Sequence, residues 1–223
     1  MRKKERYFTD PSIEQQARDI YRQVEELAQK ERFLYRPHQS ALLVLDMQEY
    51  FLNPESHAYV PSAEAIVQGI LQLIDEFSAH DLPVIFTQHT NTERDAGMMS
   101  TWWKEVLTAQ NHYHRIITTI DTSKGTLIQK SQYDAFYRTE LDELLREAGV
   151  LQLVLCGVMT HLCCETTARS AFMHGYEVFF PVDGTATYNV AFHKASILNL
   201  AHGFASIVFV KDVLVALQGV HEG

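Results

Sequence analysis

The chain has 223 residues, 46% of them hydrophobic and 11% aromatic, with 28 acidic against 19 basic side chains and a formal net charge of −9. That apolar content repays the entropy of ordering and excludes a disordered chain, and the acid excess, with no Lys/Arg stripe, excludes a nucleic-acid partner. No apolar run approaches the roughly 18 residues that span a bilayer, and MRKKERYFTD has a basic start without the apolar stretch of a secretory signal, so no membrane partner is expected; the 3 cysteines, Cys156, Cys163 and Cys164, make no disulfide framework, so a reducing, cytoplasmic compartment is expected.

Taken in chain order, residues 13–32 (IEQQARDIYRQVEELAQKER) read as a charged amphipathic helix. It belongs to an N-terminal helical extension, residues 1–38, that packs on the body or on a second subunit. Residues 39–223 read as one domain of ordinary size. Within it six short apolar, β-rich runs stand out: 40–46 (SALLVLD), 83–88 (PVIFTQ), 125–130 (GTLIQK), 151–157 (LQLVLCG), 176–181 (YEVFFP) and 206–210 (SIVFV). They do not alternate strictly, as expected of strands buried on both faces. Helical spacing separates most of them, over 63–79, 139–148, 162–174 and 191–202. Gly149, Gly175 and Gly203 stand where the last three of these should end. Strand and helix in alternation give an α/β, three-layer α-β-α fold with a six-stranded parallel sheet of Rossmann-like winding.

Ligands of such sheets collect at the carboxyl ends of the strands. Three reactive side chains fall there: Asp46 after the first strand, Lys130 closing the third, and Cys163 shortly after the fourth. A carboxylate can take a thiol proton, an ammonium favours the thiolate, and amides at a helix start favour an anion. Cys163 is therefore the candidate nucleophile, Asp46 the proton shuttle and Lys130 the electrostatic partner. Cys156, inside an apolar run, and Cys164 read as core packing. The 11 histidines show no ligand spacing, and His161, His174, His193 and His202 read as local hydrogen-bonding groups.

Three segments carry a resemblance: LLVLDMQEYF (42–51), KSQYDAF (130–136) and GVMTHLCCETTARSAF (157–172). In this order they resemble the isochorismatase-like hydrolases, which include nicotinamidases and N-carbamoyl-amino-acid-type amidohydrolases, over roughly residues 36–217. The resemblance implies a Val158–Met159 cis peptide, and an oxyanion hole from the amides of Met159 and Cys163. It also implies a substrate pocket that uses Phe51 and Trp102, with His89 and Tyr133 as further substrate contacts. Over nearly the whole chain the sequence is similar to siderophore-pathway isochorismatases, which release pyruvate from a vinyl ether with Asp46 as the corresponding general acid. Those enzymes commonly have Gly where this chain has Cys163, which favours covalent amide chemistry here. Nicotinamidases of the family add a metal held by an Asp-x-His…His pattern after the second strand; this chain reads Gln88-His89-Thr90-Asn91, so no metal and no cofactor is expected.

The expectation is a cofactor-free hydrolase of a small carboxamide or ureide, acting as a homodimer or higher homo-oligomer on a small-molecule substrate. Isochorismate hydrolysis through Asp46 alone is the alternative. A catalytically idle binding protein is the reading from another class, and the full Asp–Lys–Cys set speaks against it.

Overall fold

The structure is a computed structural model that describes residues 4–28 and 33–219. In chain order the elements are α1 (Ile13–Tyr21), α2 (Glu25–Ala28), β1 (Ser40–Leu45), α3 (Glu49–Leu52), α4 (Ala63–Ala79), β2 (Val84–His89), α5 (Met99–Trp102), β3 (Thr126–Lys130), α6 (Leu141–Glu147), β4 (Gln152–Val158), α7 (Glu165–Met173), β5 (Glu177–Pro181), β6 (Thr185–Ala186), α8 (Val190–Gly203), β7 (Ala205–Val208) and α9 (Val210–Gln218). Among the described residues the helices are too short or too polar to cross a membrane.

The sheet runs β3-β2-β1-β4-β5-β7, with β6 paired to the end of β4. These strand pairings are all parallel. The chain winds outward from β1 to β3, returns to β4 at the centre, then winds outward the other way. Crossovers of one hand therefore place α4 on one face and α7 with α8 on the other. Every residue of β1, β2 and β4 is buried, which explains why these runs show no alternation. β3, at one edge, leaves Thr126, Leu127 and Gln129 exposed.

All six expected strands are present, and β6 adds a two-residue seventh. The expected 63–79 helix matches α4, and α6 and α8 fall within two residues of expectation. Gly149 and Gly175 follow α6 and α7 with φ of +67° and +93°, the left-handed conformation that a C′ glycine adopts at no steric cost. The expected 13–32 helix breaks in two at residues 22–24, with Ala17, Ile20 and Val24 facing the core; its residues 29–32 lie outside the described residues. The expected 162–174 helix differs more. A π-helical turn, Thr160–Cys164, precedes α7, so Cys163 sits within a widened turn just before α7 starts.

The switch in winding direction falls between β1 and β4, where Leu45 pairs with Gly157. At this point β4 passes so close to β1 that a Cβ on Gly157 would lie 2.1 Å from the Leu45 carbonyl oxygen, and its φ is +115°. Glycine is required here on both counts. The crevice at a switch point is where a doubly wound sheet binds its ligand.

Candidate active site

Asp46 leaves the end of β1 in the left-handed conformation, φ 51°, which Asp tolerates better than most residues. Its amide donates to both Thr87 Oγ1 and the Thr87 carbonyl at 3.2 Å, and the Thr87 hydroxyl donates to Asp46 Oδ1 at 2.6 Å. Thr87 pairs with Leu45 across β1 and β2, so sheet register sets the carboxylate's orientation. The other carboxylate oxygen, Oδ2, lies 2.7 Å from Lys130 Nζ, and both side chains are fully buried. The Lys130 ammonium also donates to the Gln132 carbonyl at 2.9 Å and to Cys163 Sγ at 3.4 Å. Asp46, Lys130 and Cys163, 84 and 33 residues apart in sequence, thus form one buried cluster at the strand ends.

Burial and the neighbouring Asp46 push the Cys163 thiol up to about 12, against the downward pull of Lys130. Burial works against the Lys130 ammonium, but the Asp46 carboxylate beside it holds it up at about 12. The resting site therefore holds a thiol beside a carboxylate–ammonium pair, and attack needs a base to remove the sulfur's proton. The expected thiolate-favouring effect of the lysine is present and is outweighed. The Val158–Met159 peptide is cis, and Met159 is the residue from which the π turn departs.

Cys163 and Met159 open onto a pocket whose walls include Phe51, His89 and Tyr133, three of the four expected contacts. The fourth, Trp102, is 76% exposed and does not line it. Its neighbour Trp103 does, and donates from Nε1 to Tyr133 Oη at 2.7 Å. Trp102 is the last residue of α5 and Trp103 is already extended, so the inward tryptophan cannot be read from the dipeptide. Trp103→Ala should raise KM severalfold by removing this wall and the Tyr133 contact, whereas Trp102→Ala should leave KM within twofold; steady-state kinetics on both variants measures the difference.

Sequence reasoning missed Tyr50, His57, Glu105, Leu107 and Tyr188, which also line the pocket. They come from loops and short helices with no periodic pattern. His57 Nδ1 lies 3.2 Å from Glu105 Oε1 on this wall. Among the pocket-lining residues described there is a single carboxylate, Glu105, and no Lys or Arg.

His89 Nε2 is 2.9 Å from Asn91 Oδ1. Burial first, then the Lys130 charge, lowers its pKa to about 4. A neutral imidazole tied to an amide, with Asn and Gln as its neighbours, does not fit the Asp-x-His…His metal pattern that the resemblance raised. Among the described residues no group of three His, Cys, Asp or Glu side chains could hold an ion.

Burial also lowers His161 to about 4 and His193 to about 3. The unfolded chain takes up protons on these rings below about pH 6.5 while the folded chain does not. Stability is therefore fully present above that pH and is lost as pH falls toward 4. At the other end, Cys163 and Lys130 hold their protons to about 12 in the folded state, so stability falls as pH rises above about 9, where an unfolded thiol ionises. Thermal melts from pH 4 to 11 should trace a dome with both flanks descending.

A family description, "Isochorismatase domain", matches residues 40–212. The chain belongs to the isochorismatase family. It is 40% identical over 174 residues to Nicotinamidase 3 of Arabidopsis thaliana, covering 76% of this chain and 84% of that one. It is 29% identical over 185 residues to enterobactin synthase component B of Escherichia coli strain K12, covering 82% of this chain and 65% of that protein. The solved structure of a cysteine hydrolase from Pseudomonas syringae pv. phaseolicola 1448A superposes with a TM-score of 0.80 at 26% identity, covering 84% of this chain and 96% of that one. The family member described here is a hydrolase with a three-layer α/β fold.

Proposed function

We propose that this hydrolase is a cysteine amidohydrolase that cleaves a small, uncharged carboxamide. The observation that carries the reading is the chain of contacts from Cys163 Sγ to Lys130 Nζ, 3.4 Å, and from Lys130 Nζ to Asp46 Oδ2, 2.7 Å, at the pocket wall. Asp46 takes the thiol proton as sulfur attacks the amide carbon, and Lys130 balances the negative charge in transit. The amides of Met159 and Cys163 receive the developing oxyanion. Asp46 then protonates the leaving nitrogen, the C–N bond breaks, and ammonia departs from a Cys163 thioester. Water, deprotonated by Asp46, attacks the thioester carbonyl and releases the acid, restoring the thiol.

The pocket supports an uncharged substrate. Burying a carboxylate without a cation is costly, and the described lining offers only Glu105. Isochorismate carries two carboxylates and an N-carbamoyl amino acid carries one. The name of the Arabidopsis relative, a nicotinamidase, is in keeping with a neutral amide. The test is a panel of neutral aromatic and aliphatic carboxamides, N-carbamoyl amino acids and isochorismate, assayed for ammonia and pyruvate together. Ammonia from a neutral amide, at a kcat/KM at least tenfold above that for any carboxylate-bearing compound, is the expected result. Pyruvate release as the dominant activity would overturn the reading.

A further inference from the structure

Residues 4–8 lie outside the segment 40–212 that carries the family match, yet they reach the catalytic turn. The amides of Tyr7 and Phe8 both donate to Ser62 Oγ, at 2.9 and 3.1 Å, and the Glu5 amide donates to the Tyr188 carbonyl at 2.7 Å. Anchored in this way, the Tyr7 side chain enters the body, where it is 8% exposed. Its Oη accepts the Thr187 amide at 2.9 Å and lies 3.1 Å from His193 Nδ1.

His193 is fully buried, and its Nε2 lies 3.1 Å from the Val182 carbonyl. A carbonyl can only accept, so Nε2 carries the proton and Nδ1 is an acceptor. Two hydroxyls stand at this acceptor, Tyr7 Oη and Thr160 Oγ1, each at 3.1 Å. Thr160 has a second outlet, Thr185 Oγ1 at 3.1 Å. Nδ1 has one lone pair, so with Tyr7 donating to the ring the Thr160 hydroxyl donates to Thr185. Thr160 follows Met159 and opens the turn that ends at Cys164.

We propose that Tyr7 is a positioning residue for the reaction. By occupying the one acceptor of His193, its hydroxyl turns the Thr160 hydroxyl to Thr185 and so, through Thr160, sets the placement of the Met159 amide and the Cys163 sulfur. The same strap steadies the pocket wall: Lys4 Nζ donates to the His57 carbonyl and lies 4.5 Å from the centre of the Tyr188 ring, and both residues line the pocket. The role in turnover rests on the reading of Cys163 as nucleophile.

The experiment is Tyr7→Phe in the full chain. The ring, 4.6 Å from Phe8 and 5.4 Å from His193, stays packed, and only the hydroxyl is removed. On the neutral amide that the parent hydrolyses best, kcat should fall about tenfold with KM within twofold. Alkylation of Cys163 by iodoacetamide, located by peptide mass, should slow at least threefold. Arg6→Ala, at an exposed strap residue paired with Glu64, should change neither. If Tyr7→Phe does not fold, Ser62→Ala, which removes the strap's anchor outside the relay, carries the same expectation. A kcat and an alkylation rate both within twofold of the parent in a folded variant would overturn the proposal, even if the melting temperature falls. A parent that hydrolyses no amide would sink the amidase reading instead, and the alkylation comparison would still decide the role of Tyr7.

Discussion

Cys163→Ala should lower amide turnover by at least about a thousandfold while leaving the protein folded. Loss of a nucleophile that acts as one unit with its base commonly costs on the order of 10³ or more in kcat. The side chain removed is small and 5% exposed, so the fold should tolerate the change. Asp46→Asn should be equally inactive, since the asparagine amide cannot take the thiol proton. The pair of variants separates the two chemistries open to this family. Under vinyl-ether hydrolysis the carboxyl group protonates the substrate and no nucleophile is needed, so Cys163→Ala would keep its rate while Asp46→Asn lost it. Ammonia and pyruvate assays on both variants give the comparison.

Lys130→Met should destabilise the protein by about 3–5 kcal/mol, the usual cost of stripping one partner from a buried ion pair. The Asp46 carboxylate, with no exposed surface, would keep the Thr87 hydroxyl as a donor and lose the ammonium 2.7 Å away. Asp46→Asn leaves the complementary fault, a buried ammonium beside neutral acceptors, among them the Gln132 carbonyl and the Cys163 sulfur, with its carboxylate gone. The double variant should therefore cost clearly less than the sum of the singles. Urea unfolding of the four proteins measures this, and a Lys130→Met cost below about 1 kcal/mol would mean that water reaches the pair.

The sheet was legible because strands buried on both faces leave continuous apolar runs. The site cluster was legible because Asp46, Lys130 and the Cys163 segment each follow or end such a run, and the switch-point rule brings those ends together. What could not be read has physical reasons. β6 has two residues and no pattern of its own. The π turn moved Cys163 off the helix start, since a widened turn depends on tertiary contacts. Trp102 and Trp103 are distinguished by where α5 stops: Trp102 ends the helix and Trp103 is already extended. Thr87 reaches Asp46 through strand register, and Tyr7 reaches His193 across 186 positions; neither contact leaves a local mark in the sequence.

The most direct test is the mass of the intact protein, acid-quenched during turnover of the best neutral amide. The account predicts a fraction of the chains heavier by the acyl group of the substrate, the amide less ammonia, with the addition mapped to Cys163 and absent from Cys163→Ala. Unmodified protein at every quench time, together with turnover retained in Cys163→Ala, would contradict it.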